Sequence, residues 1–148
     1  MIPSFFVYHN EKGEVNNKKI VDKVRALRKK HILIIFNGNT ISKNVILACL
    51  SHKKRGSDLT LSCELREKRN AIGRTIIKIE DTMRVFGAQH KAQNPKGTPK
   101  GSGYALVFSP SFFIIKTDFF LKNARRNFLK LPREKRFYKE NKVFVHFK

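Results

Sequence analysis

The sequence predicts an α+β fold: a single domain with a mostly antiparallel sheet, helices packed on it and one long Gly/Lys loop. Three observations lead there. Helical patterns alternate with antiparallel-looking strand runs rather than with a regular βαβ rhythm. No internal repeat or convincing boundary divides the 148 residues, a length that suits one domain with a real core. The loop Asn94-Pro95-Lys96-Gly97-Thr98-Pro99-Lys100-Gly101-Ser102-Gly103 opens into two apolar runs, Tyr104 to Phe108 and Phe112 to Ile115, split by a Ser-Pro turn.

In chain order, Phe5 to Tyr8 is a short strand run closed by Asn10 and Gly13. Ile20, Val21, Val24 and Leu27 recur at helical spacing between Lys18 and Lys30, a basic amphipathic helix. His31 to Phe36 is a β-branched run stopped by Asn37-Gly38-Asn39. Thr40 or Ser42 can cap a helix that buries Val45, Ile46, Ala48, Cys49 and Leu50. His52 to Arg55 suit its last turn, and Gly56 ends it. Leu59 to Leu65 alternates with period 2, a strand with one wet face, and Thr75 to Ile79 is another strand. From Arg84 to Gly103 the pattern dissolves into the loop. Thr117 or Asp118 can cap a last helix carrying Phe120, Leu121, Ala124, Phe128 and Leu131, stopped by Pro132. Val143 to Phe147 is a closing strand.

Hydrophobic content of 41% with 13 phenylalanines excludes wholesale disorder. The charge is the strongest signal: 32 Lys and Arg against 11 Asp and Glu, net +21. Self-repulsion at that balance points to a polyanionic partner. Basic residues occur in nearly every segment rather than on one amphipathic helix, which favours nucleic acid over a membrane surface. Interleaved aromatics such as Tyr8, Tyr104, Phe137 and Tyr138 suit stacking on RNA. Two cysteines make no disulfide framework, and no run is long enough to span a bilayer, so a soluble intracellular or organellar protein without membrane insertion is expected.

Catalytic and metal readings find little footing. Gly97 to Gly103 fails as a P-loop because its lysine precedes the glycine and a strand follows. Cys49 and His52 stand one turn apart, but Cys63 and His90 are distant and there is no Cys-x-x-Cys. The few carboxylates are scattered, so the expectation is a non-enzyme with no cofactor, metal or catalytic residue. RNA contacts are expected from the loop residues Arg84, His90, Lys91, Lys96, Gly97, Lys100, Gly101 and Gly103. A second basic cluster beside the last helix comprises Arg125, Arg126, Lys130, Arg133 and Arg136.

The C-terminal pattern adds a resemblance. Lys96-Gly97 and Lys100-Gly101-Ser102-Gly103 lead into Tyr104-Ala105-Leu106-Val107, then Ser109-Pro110 and Phe112 to Ile115. Ala124-Arg125-Arg126 and Leu129-Lys130-Leu131-Pro132 follow, before Arg133 to Arg136. This series resembles the universal large-subunit ribosomal protein family called L sixteen in bacteria and L ten e in cytosolic ribosomes. More loosely, Gly38 to Arg55 looks like that family's capped first helix, with Lys54-Arg55-Gly56 as its exit, and Arg74 to Asp81 like a core strand. The bacterial loop's Arg-Met-Gly-Lys-Gly-Lys-Gly is not reproduced, being interrupted by Pro95, Thr98 and Pro99.

The resemblance implies a hammerhead sheet with two helices against one face. It also implies a structural constituent of the large ribosomal subunit that binds rRNA below the central protuberance. Its partners would be large-subunit rRNA, tRNA near the peptidyl-transferase centre and neighbouring ribosomal proteins. Residues 1–30 fall outside it as an N-terminal extension, strand plus basic helix, and 31–148 form the α+β domain. Heavy use of Lys, Asn, Phe and Ile, with divergence from the bacterial pattern, points to a mitochondrial ribosome, with bacterial cytoplasm or plastid as alternatives. The alternative function is a winged-helix-like DNA-binding regulator with Gly97 to Gly103 at the wing tip, though a strand at Leu59 to Leu65 stands where its recognition helices belong.

Overall fold

The computed structural model describes residues 4–10, 17–36, 40–97, 101–125 and 135–147. Its strands are β1 (Phe5–Asn10), β2 (His31–Phe36), β3 (Leu59–Glu67), β4 (Ile76–Ile79), β5 (Val85–Gln89), β6 (Tyr104–Lys116) and β7 (Val143–Phe147). The helices among the described residues are α1 (Asn17–Leu27), α2 (Lys43–Arg55), α3 (Lys68–Ala71), α4 (Thr117–Lys122) and α5 (Lys135–Glu140). The main sheet runs β1-β2-β6-β3-β7, with β4 paired to β6 and β5 to β4.

This sheet corrects the expected fold class. It is mixed: β1 pairs with β2 in parallel, from Phe5 opposite His31 to Asn10 opposite Phe36. β3 likewise pairs in parallel with β7. β6 lies between the two parallel pairs, antiparallel to both β2 and β3. The reason lies in the connections. Parallel neighbours need a return crossover, which α1 supplies between β1 and β2.

Helices also cover both faces rather than one. The continuous apolar run of β2 is what a strand buried on both sides looks like. Ile32, Ile34 and Phe36 join one core with Ile20 and Val24 of α1, Phe119 and Phe120 of α4, and Phe137 and Tyr138 of α5. Leu33 and Ile35 join the other, with Val45, Ala48 and Cys49 of α2. The arrangement is three-layered, α/β/α, not a two-helix hammerhead.

Local chemistry sets the boundaries. The Ser42 side chain accepts from Val45 N at 3.3 Å to cap α2. Gly56 ends that helix in the left-handed region at φ +63°. Thr117 and Asp118 do not cap α4, whose first flank is Lys116 with no side-chain cap bond. The Thr117 hydroxyl instead donates to the Lys29 carbonyl at 2.7 Å. Phe120 is fully buried and Ala124 packs against the same core; Phe128, Leu131 and Pro132 lie outside the described residues.

Three further expectations change. The wet face of β3 is dry from Leu59 to Cys63, because Thr60 and Ser62 are covered and hydrogen-bonded. The two runs around Ser109-Pro110 form a single bulged strand, since pairing jumps from Leu61–Phe113 to Cys63–Phe108. The stretch from Arg84 onward contains β5, which forms an antiparallel hairpin with β4.

Candidate functional site, a basic cleft

A basic concavity lies where α1 ends, β2 begins and β6 runs into α4. It has a volume of about 450 Å³ and is lined by Val24, Arg25, Arg28, Lys29, Lys30, His31, Lys116, Thr117, Asp118 and Leu121. Its walls follow from local folding. α1 turns Ile20 and Val24 inward, so Arg25 and Arg28 fall on the outer side. Arg28 then adopts φ +52°, a left-handed conformation that breaks the helix and swings Lys29 and Lys30 toward β2.

Two bonds from one residue fix the opposite wall. Thr117 N donates to the Lys30 carbonyl at 2.9 Å, besides the hydroxyl bond to Lys29. His31 is the register partner of Lys116, and Lys116 N donates to the Asp58 carbonyl at 2.9 Å. Five cationic side chains therefore meet one carboxylate, Asp118. That balance suits a multiply charged anion.

His31 forms the floor. Its pKa is lowered first by burial and then by Lys53, Lys116 and Lys30. Behind it, His52 is pushed down to about 3, chiefly by burial, with His31 and Lys116 adding to the effect. Both rings are neutral near pH 7 and available as hydrogen-bonding groups. At the other end of β2, a smaller hollow of about 180 Å³ has hydroxyl and amide groups from Thr40, Ser42, Asn44 and Ser111 but no charged side chain.

None of the described residues among those expected from sequence to bind RNA lines this cleft. His90 is exposed and its Nδ1 lies 3.0 Å from Thr75 Oγ1. Lys91 and Lys96 are exposed, and the Arg84 carbonyl accepts from Glu80 N at 2.8 Å in the β4–β5 hairpin. Gly97 packs directly on the Ser102 backbone, and the Gly103 carbonyl accepts from Lys68 N at 3.0 Å. Gly101, at φ +84°, and the side chains of Arg125 and Arg136 face solvent. Lys100, Arg126, Lys130 and Arg133 lie outside the described residues.

The cleft residues went unselected although two signals were present. Arg25, Arg28, Lys29 and Lys30 crowd the end of a basic helix just before a buried strand. His52 stands seven residues after Val45, on the same face as Ala48 and Cys49, and is buried with them. Among the described residues no His, Cys, Asp or Glu cluster of three stands ready for a metal. No described helix is long and apolar enough to cross a membrane.

No family model matches the chain. It is similar to the glucose-1-phosphate adenylyltransferase of Shewanella putrefaciens, 24% identical over 110 residues covering 72% of this chain. The same enzyme of Shewanella baltica is 21% identical over 123 residues, 81% of this chain. The chain spans 26% and 29% of the length of these two relatives. Among solved structures, CMP:2-keto-3-deoxy-manno-octonic acid synthetase complexed with CTP superposes with a TM-score of 0.65 at 8% identity. That match covers 93% of this chain and 61% of the other. What the chain shares with that structure is its fold, a mixed sheet covered by helices.

These similarities overturn the functional expectations drawn from charge and from the C-terminal motifs. By name the relatives are adenylyltransferases and the structural neighbour a synthetase complexed with CTP, not structural ribosomal proteins or winged-helix regulators. The same finding corrects the non-enzyme expectation and the partner set of rRNA, tRNA and ribosomal proteins. The physical reason is that excess positive charge identifies an anionic partner without distinguishing a polymer from a nucleotide. The Lys-Gly motifs, too, are common to many anion-facing loops.

Proposed function

We propose that this chain is a nucleotidyltransferase-like domain whose basic cleft holds the phosphates of a nucleoside triphosphate. The observation that carries the reading is the cleft itself, five cations around about 450 Å³. Ligand pockets of roughly 300–1,000 Å³ are the usual size for a nucleotide-scale molecule. The names of the relatives and the neighbour, an adenylyltransferase and a CTP-bound synthetase, support the ligand class.

Nucleotidyl transfer forms a bond between an acceptor oxygen and the α-phosphorus, breaks the α–β phosphoanhydride bond and releases pyrophosphate. Arg25, Arg28, Lys30 and Lys116 would face the β- and γ-phosphates. There they would neutralise charge that grows on the leaving group in the transition state. Asp118 bars part of the cleft to a further anion and orients the ligand.

Calorimetric titration with CTP and ATP, beside cytidine and adenosine, tests the reading. Triphosphates are expected to bind with affinity that falls as salt rises, and nucleosides are expected not to bind. Arg25→Gln combined with Lys116→Gln should weaken triphosphate binding about a hundredfold or more, since each charged hydrogen bond contributes about 1.5–3 kcal/mol. Equal affinity for nucleosides, or none for triphosphates, would overturn it. Pyrophosphate release on adding a sugar phosphate acceptor tests transfer itself.

A further inference from the structure

Among the described residues, four buried polar side-chain atoms have no hydrogen-bond partner: Ser4 Oγ, His31 Nδ1, His52 Nε2 and Ser57 Oγ. The residues that carry them adjoin one another, and His31 among them lines the cleft. His31 N donates to the Ser4 carbonyl at 3.1 Å, and Ser57 N donates to the His52 carbonyl at 3.2 Å. The two imidazoles meet edge to face with centres 5.1 Å apart, and Phe5 stacks on His31 at 4.8 Å. Leaving one such atom unpaired in a protein interior costs about 1–3 kcal/mol, so a group of four calls for an occupant.

The chemistry of the patch selects that occupant. His52 is 1% exposed, and its Nδ1 lies 2.8 Å from Thr60 Oγ1. When the threonine hydroxyl donates to Nδ1, the Nε2 of the neutral ring carries the proton and becomes a donor. Both serine hydroxyls can donate as well. Lys30, Lys53 and Lys116 act on His31, and Lys116 acts on His52 as well. That field repels a metal cation and attracts an anion.

We propose that Ser4, His31, His52 and Ser57 form an inner oxyanion subsite, which takes a terminal phosphate of the ligand whose remaining phosphates lie in the basic cleft. The proposal rests on the cleft being a phosphate site, and His31 connects the two because it lines the cleft while its ring packs against His52. Phosphate bound there would favour protonation of both rings, so binding would be accompanied by proton uptake.

The test follows the imidazole Cε1–H resonances of the protein's 5 histidines during titration with inorganic phosphate and, separately, with CTP and ATP. Phosphate should shift the His31 and His52 signals saturably while leaving His9 unmoved. His31→Gln should weaken phosphate binding about tenfold, the loss of one hydrogen bond to a charged group. Should His52→Gln fail to fold, the wild-type titration decides. Triphosphates that bind without moving either resonance would remove the inner subsite and leave the nucleotide reading standing. Phosphate that moves both, beside CTP and ATP that do not bind, would keep the subsite and remove the nucleotide. Silence from all three ligands would overturn both.

Discussion

The Ser62 hydroxyl accepts from Ser111 N at 3.0 Å and donates to the Ser109 carbonyl at 2.8 Å, closing the bulge where β3 and β6 lose register. A third contact, from Phe112 N, is 3.4 Å long. Ser62 is fully buried, so it replaces the ladder bonds that the bulged residues cannot make. Ser62→Ala is expected to cost about 1–3 kcal/mol, because backbone groups would stay buried without partners. Urea unfolding midpoints measure this, and coincident midpoints would show water taking over the hydroxyl's role.

Phe113 is the centre of the larger core. It is fully buried, meets Phe36 edge to face at 5.3 Å and stacks on Phe108 at 5.7 Å. Phe113→Ala should cost roughly 3–5 kcal/mol, the lost transfer term plus the cavity left among these rings. That is a large part of the stability of an ordinary domain, about 5–15 kcal/mol. Circular dichroism melts should show a strongly lowered midpoint, whereas truncating the exposed Leu50 of α2 should leave it nearly unchanged.

Much of the fold was legible from periodicity and punctuation, and the misses share one cause. Ser42 and Gly56 bound α2 as their chemistry dictates. Strand direction, by contrast, is set by where a connection returns, and no residue in β1 or β7 encodes it. The five-residue apolar run Ile32 to Phe36 of β2 already signalled cover on both faces, and residues of α1, α2 and α4 supply that cover. Alternation in Leu59 to Cys63 suggested a wet face because Thr60 and Ser62 are polar; only tertiary partners show that both are satisfied inside. The site was less legible. Its cations come from residues 25 to 30 and from residue 116, brought together by β2–β6 pairing. The glycine-lysine loop has a stronger sequence signature, but none of its described residues lines the cleft.

Stability should fall on mild acidification because of His52. Its folded-state pKa, about 3, lies below the unfolded value of 6.5. Between those values the unfolded chain binds a proton that the folded protein refuses, so stability is complete above pH 6.5 and is lost as pH falls toward 3. At pH 5 the loss from this group alone is about 2 kcal/mol. His31 shifts in the same direction and adds to it. Chemical denaturation at pH 7 and pH 5 reads the difference, and His52→Gln should flatten it. An unchanged slope in that variant would assign the acid sensitivity to other groups.

Lys116 should show a trade-off between ligand-free stability and binding. It is exposed at the end of β6, faces a cleft already holding Arg25, Arg28, Lys29 and Lys30, and disfavours protonation of both His31 and His52. In the empty cleft its charge is therefore repulsive, a cost that a bound polyanion would turn into attraction. Lys116→Gln should raise the unfolding midpoint slightly at low ionic strength, and the gain should vanish when salt screens the cleft. The same variant should titrate His31 and His52 at higher pH, because one opposing charge is gone. Triphosphate affinity should fall at the same time, as sites shaped for binding commonly exchange stability for function. A variant that is less stable at low salt would show that Lys116 acts as a structural partner, and the electrostatic account of the cleft would then fail.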